Sequence, residues 1–214
     1  MSMIDGIRSK IIIWLFGTKK RYKNINLKNI KTILINPKDF IGDTLISFCY
    51  ARQLKEMYPE AKLGLAVTDR NLEFANFCNK NEKVIDSIVK RKDMFKNRKK
   101  WDVLLDFSSK ENTNKMIWKK ILSPKITIVF GEDNEGHYYN RKNVKNYDFI
   151  CTPSIETHIT DYLINSEFSK YFKIEKQKPY IELLEKDVAK MEKFWKSDSE
   201  KINEKTQKIK ILLV

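Results

Sequence analysis

The sequence predicts an α/β fold, a Rossmann-like doubly wound parallel sheet, from three observations. Short continuous apolar runs recur at Ile33–Ile35, Leu63–Val67, Val84–Val89, Trp101–Phe107 and Ile126–Phe130. A strand covered on both faces is apolar throughout, whereas a half-exposed strand alternates. Helical spacing fills the intervals between the runs, as right-handed crossovers between parallel strands require. Finally, Asn36-Pro37 closes the first run, because proline removes the donor that a central strand needs.

Composition narrows the class. The 214 residues include 42% hydrophobic residues, enough to bury a core, and the net charge is +14. Such a surface attracts anions without saying which. Only seven of the 42 basic residues are Arg. Nucleic-acid readers rely on the forked guanidinium, so a chain this rich in Lys and poor in Arg argues against a nucleic-acid partner. The three cysteines, Cys49, Cys78 and Cys151, are widely separated and form no CxxC pair. Neither a disulfide framework nor a zinc site is implied, which fits a reducing cytoplasmic location.

Residues 1–28 form the first distinct stretch. Ser2 and Asp5 resemble a capping box, Ile4, Ile7, Ile11, Trp14 and Leu15 make one helical stripe, and Gly17 can end the helix. The apolar part is far shorter than the roughly 20 residues that span a bilayer. Two readings fit: an interfacial anchor, with Lys10, Lys19, Lys20 and Arg21 drawn to anionic lipid, or a helix packed on its own domain.

The chain is organised around Thr32 to Tyr58, a buried strand, a tight loop with Gly42-Asp43, and a helix whose apolar positions include Leu45, Phe48, Cys49, Leu54 and Tyr58. Gly42 is read as permitting a backbone turn that a side chain resists, and Asp43 as standing at the helix N-cap. There, unpaired backbone N–H groups and the helix dipole would favour its ionised form. Asp43 is then either a plain cap or a proton acceptor.

Farther on, Lys90 to Lys100 holds seven basic residues and one acidic. It is either a solvated face or a patch on the edge that carries Asp43, drawing in a phosphate-bearing acceptor. His137 to Asp148 reads as irregular surface. His158 lies in a helical pattern with Ile159, Tyr162, Leu163 and Phe168 turned inward, a structural rather than catalytic setting. Past Tyr180 come a short strand at Ile181–Leu184, a charged helix and linker over 186–208, and Ile209–Val214, a buried-strand sequence. The last is expected to be the first strand of a further domain, the main domain covering 29–185.

Residues 31–185 resemble the N-terminal domain of the family 9 glycosyltransferases, which include the lipopolysaccharide heptosyltransferases. The resemblance is carried by TILINPKDFIGDTLISFCYARQLKEMYPEAKLGLAV, with Ile41-Gly42-Asp43 and Leu54 to Ala61 in register. NKNEKVIDSIVK, WDVLLDF and THITDYL continue it. The family's basic residue five positions before the Gly is Pro37 here, with Lys38 displaced by one, and its helix proline is Cys49.

The resemblance implies the acceptor-side half of a two-domain GT-B fold and a metal-independent, inverting sugar transfer. Asp43 would be the general base. Lys38, Gly42, Lys96, Arg98, Lys99 and Lys100 would bind an anionic glycolipid or lipopolysaccharide-core acceptor at the inner face of the cytoplasmic membrane. No cofactor is expected; a nucleotide-sugar donor such as ADP-heptose would be held mainly by the other domain, leaving this half inactive alone. The alternative is a non-catalytic module that binds anionic glycolipid or a membrane surface.

Overall fold

In the computed structural model the described residues are 3–19, 26–107, 111–131, 139, 143–152, 154, 156–180, 185, 188 and 189. The chain divides into a unit of residues 1–180 and a second of residues 181–214, and the fold described here is that of the first. The expectations for Ser2, Lys20, Arg21, His137, the strand at 181–184 and residues 190–214 lie outside the described residues.

A helix α1 (Met3–Phe16) precedes β1 (Thr32–Asn36), α2 (Ile41–Met57), β2 (Lys62–Val67), α3 (Leu72–Glu82), β3 (Ser87–Lys90), β4 (Val103–Asp106), α4 (Thr113–Leu122), β5 (Ile126–Phe130) and β6 (Phe149–Cys151). The six strands form one sheet in the order β3-β2-β1-β4-β5-β6. Every pairing is parallel. This is the doubly wound arrangement that the apolar runs predict.

Both faces are covered, as continuous apolar strands require. Leu34, Ala66, Val89 and Leu104 point to the α4 face, where they pack with Trp101, Trp118 and Leu122. Alternation sends Ile33, Ile35, Leu63 and Leu65 to the opposite face, and all four are fully buried, as are Phe48, Ala51 and Leu54 of α2. Gly64 allows the Trp101 ring to lie against β2, since a Cβ there would stand 2.3 Å from a ring carbon.

The sheet's N-terminal edge is latched by three aspartates, each immediately before a strand and each bonded to the start of a neighbouring strand. Asp86 accepts from Leu63 N at 2.7 Å. Asp102 accepts from Lys31 N at 2.9 Å and Thr32 N at 3.1 Å. Asp148 accepts from Thr127 N at 2.8 Å. Backbone donors that the edge leaves unpaired are thereby satisfied.

Three expectations change. Residues 149–151, just past the stretch read as irregular surface, add the edge strand β6. Its three residues are too few for periodicity to separate from loop. The run around His158 forms 3-10 turns at Ile159–Asp161 and Glu167–Lys170, not an α-helix, though Leu163 and Phe168 are fully buried. His158 caps the first turn, its Nδ1 accepting from Thr160 N at 3.4 Å. Finally, α2 begins at Ile41 with Phe40 in the cap position, so Asp43 is not the N-cap.

Candidate functional site

In an open parallel sheet, ligands bind beyond the carboxyl ends of the strands, where the strand order reverses. Here the reversal falls between β1 and β4, whose last paired residues are Asn36 and Asp106. Both are buried, and Asn36 Nδ2 donates to Asp106 Oδ1 at 2.8 Å. Asp106 also pairs with the buried Lys119 at 2.5 Å, and Lys119 pairs in turn with Glu111. A buried polar network thus underlies the crevice, one ammonium shared between two carboxylates.

Above it opens a cleft of about 340 Å³ lined by Asn36, Asp39, Arg91, Asn112, Asn114 and Lys115. Asn112 caps α4, accepting from Lys115 N at 2.9 Å, and so presents the start of that helix to the cleft. Burial holds the Lys115 ammonium below its usual range, against the pull of Asp106 and Glu111. Met94 and Trp118 complete the lining, so a ligand there would meet apolar surface as well as the amides of Asn36, Asn112 and Asn114 and the cations Arg91 and Lys115.

The loop from β1 to α2 separates this cleft from Asp43. Arg91, just after β3, holds that loop: its Nε donates to Asn36 Oδ1 at 2.9 Å and its Nη2 to Pro37 O at 2.6 Å, and it pairs with Asp39. Asp43 itself sits half-buried in the first turn of α2. The turn is fixed from beneath by Thr44, whose Oγ1 donates to Phe40 O at 3.1 Å and accepts from Asn71 Nδ2 at 2.9 Å. Ser47 Oγ donates to Asp43 O at 2.8 Å.

Burial raises the Asp43 carboxyl above the usual carboxylate range; Lys38 opposes the shift and Asp39 adds to it. This corrects the expectation of a carboxylate favoured by the dipole. Loss of water on partial burial is the largest influence on the group. A raised carboxyl is the stronger base once ionised.

Gly42 also differs from expectation. It lies within α2, its φ is not in the left-handed region, and a Cβ built on it meets nothing within 4 Å. The backbone does not need glycine there, so the space in front of it is open. Phe40 and Ile41 flank that opening at 67% and 57% exposure.

The basic segment is not gathered at this edge. Lys90 and Lys92 lie at the C-terminal edge and pair with Asp69. The chain then descends along the α4 face, where Met94 packs on the core cluster. Lys96, exposed, pairs with Asp93 at 3.4 Å. Lys99 N bonds Leu122 O at 2.8 Å at the end of α4, and Lys100 leads into β4 through Trp101. Arg98 stands near Phe16, Thr18 and Ser123. The depth of the sheet, roughly 10 Å for four residues, therefore lies between Lys99, Lys100 and the Asp43 edge. Lys38 and Gly42 are brought together with Asp43; Arg98, Lys99 and Lys100 are not. The cleft residues Asn36, Asp39, Arg91, Asn112, Asn114 and Lys115 were not singled out by sequence. Asn36, polar at the end of an apolar strand, was the one signal available.

The crystal structure of the glycosyl transferase family 9 from Veillonella parvula DSM 2008 is similar, with a TM-score of 0.60 and 14% identity over 80% of this chain and 50% of that one. The chain shares its fold with half of that structure. The structure of E. coli ADP-heptose lipopolysaccharide heptosyltransferase II is similar as well, with a TM-score of 0.52 and 13% identity over 78% of this chain and 50% of that one. This chain spans about half the length of both proteins. No protein-family model matches the sequence, and no curated protein matches it significantly. The likeness is one of fold, in line with the resemblance read from Ile41-Gly42-Asp43 and its surroundings. Among the described residues, no helix is long and apolar enough to cross a membrane.

Proposed function

We propose that this chain is the acceptor-side half of a heptosyltransferase-like enzyme, one that moves a sugar from a nucleotide sugar such as ADP-heptose to a lipopolysaccharide-type acceptor. The observation that carries the reading is the place of Asp43, half-buried in the first turn of α2 directly after β1, at the sheet edge where the strand order reverses. The acceptor hydroxyl attacks the anomeric carbon as its proton passes to an Asp43 Oδ. The new C–O bond forms opposite the breaking one, and the nucleoside diphosphate leaves with the electron pair. Configuration at that carbon inverts.

Lys38, next to Asp43 electrostatically, and the cleft residues Asn112, Asn114 and Lys115 would hold the acceptor. Fixing the hydroxyl against its base supplies much of the acceleration in such a step. The departing diphosphate needs cations or helix N-termini of its own. We assign those to a second domain, in keeping with similar structures twice this length. Residues 1–214 alone are then expected to bind acceptor without turnover. The enzyme would work at the inner face of the cytoplasmic membrane, where a glycolipid acceptor presents its head group.

Titrating a lipopolysaccharide-core oligosaccharide onto the chain tests this. Saturable binding that Asp43→Asn leaves within about twofold, and that Lys115→Ala with Asn112→Ala weakens, supports the reading. Absence of binding overturns it.

A second reading is a non-catalytic module for anionic glycolipid or membrane. It is favoured by the exposure of Lys96, Arg98, Lys99 and Lys100 away from Asp43. Neutralising those four would then weaken glycolipid binding in a salt-dependent manner, while Asp43→Asn would change no activity.

A further inference from the structure

α1 carries an apolar face that the sheet domain does not use. The helix packs beside α4 with Ser9 buried and Gly17 N bonded to Ile13 O at 2.7 Å. On its other side Ile7, Ile11, Trp14 and Leu15 are exposed by 56%, 52%, 77% and 43%. At about 100° per residue these four fall within one arc of roughly 100°. Four large apolar side chains on one arc form a contiguous patch, not the scattered exposure that surfaces ordinarily show.

Charge indicates what covers it. Arg8 and Lys10, both exposed, fall on either side of the arc at roughly 70° and roughly 90° from its centre. At the C-terminal end of α1, Lys120 Nζ donates to Thr18 O at 3.3 Å, and Arg98 lines the same recess as Phe16 and Thr18. An apolar stripe with an aromatic anchor and a basic rim matches the bilayer interface: apolar groups enter the acyl boundary while cations meet lipid phosphates.

We propose that α1 docks the protein on an anionic phospholipid bilayer through Ile7, Ile11, Trp14 and Leu15, with Arg8 and Lys10 facing the head groups. This deepens the membrane placement proposed above, and its test needs neither sugar transfer nor glycolipid.

The test is co-sedimentation of the full 214-residue chain with vesicles of phosphatidylglycerol and phosphatidylethanolamine, against vesicles of phosphatidylcholine alone. Partition into the anionic vesicles is expected, falling steeply with salt. Ile11→Ser with Trp14→Ser is expected to lower it at least about tenfold with an unchanged circular dichroism spectrum. Arg8→Glu with Lys10→Glu is expected to cost about fivefold per residue changed at low salt. In a chain carrying Trp195→Phe, brominated lipid should quench Trp14, because Trp101 and Trp118 are buried; this reading needs no change to the stripe. Equal sedimentation of the Ile11→Ser, Trp14→Ser chain, no partition into anionic vesicles, or a self-associated species that those substitutions dissociate would overturn the proposal. The last would mean that a second copy occupies the face.

Discussion

Arg91 Nε donates to Asn36 Oδ1 at 2.9 Å, tying the turn after β3 to the last residue of β1. The same guanidinium reaches Pro37 O and Asp39, so one side chain spans the loop between cleft and Asp43. Within a run of seven basic residues it is a positioning residue, not part of a diffuse cationic patch.

Arg91→Lys keeps the charge and removes the fork, so it should loosen that loop. We expect a loss of about 1–3 kcal/mol of stability in urea unfolding. Amide hydrogens of residues 38–44 should exchange faster, while those of β5 stay unchanged. Unaltered exchange at 38–44 would show that the loop is held by other contacts.

Asp43 should cost stability where it is ionised. Its folded pKa is raised, so between the unfolded and folded values the native state binds the extra proton, and stability falls as pH rises through that window. Asp43→Asn should therefore raise the melting temperature slightly at pH 7, and the gain should vanish at acid pH below both values. A variant melting lower than the parent at pH 7 would mean that the carboxylate is stabilised in place. A gain in the variant at pH 7 is the sign expected of a group kept for chemistry at the expense of stability.

The two glycines should separate packing from access. Gly64→Ala drives a methyl into the Trp101 ring, and overpacking of this kind costs about 1–3 kcal/mol. Gly42→Ala meets nothing and sits in a helix, where Ala is favoured over Gly by about 0.5–1 kcal/mol. It should be as stable as the parent or more so, yet bind acceptor more weakly. Denaturant midpoints and acceptor titration read both halves of this expectation.

Acid unfolding should be governed partly by the latches. Burial pushes the Asp102 carboxyl up, but the Lys125 ion pair and the backbone donors Lys31 and Thr32 together hold it below its ordinary value. Stability from such a group is present above the unfolded pKa and lost as pH falls through the folded one. Asp102→Asn should lower stability at pH 7 and flatten the acid limb of the stability curve. A parallel downward shift with the limb unchanged would assign the acid sensitivity elsewhere.

The sheet was legible because strands buried on both faces, such as Ile33–Ile35 and Ile126–Phe130, leave an unbroken apolar signature. Pro37 marked the end of β1 for a reason that acts within two residues. The site was legible only where its signal was local. Asp43 and Gly42 stood out as neighbours in sequence, but the sign of the Asp43 shift depends on burial that no spacing encodes. The cleft is assembled from Asn36, Arg91 and Asn112, residues brought together only by the β3-β2-β1-β4 order of the sheet. The basic segment misled for the same reason: contiguous charges along a chain that crosses the depth of the sheet do not form one surface. Lys90 and Lys100 lie at opposite edges.

The most direct measurement is heptose transfer from ADP-heptose to a lipopolysaccharide-core acceptor by the protein purified from its own cells, wild type against Asp43→Asn. The variant's rate is expected to be lower by about 10²–10⁴, the range a positioned general base contributes, with acceptor affinity within about twofold. Transfer by Asp43→Asn at the wild-type rate would contradict it.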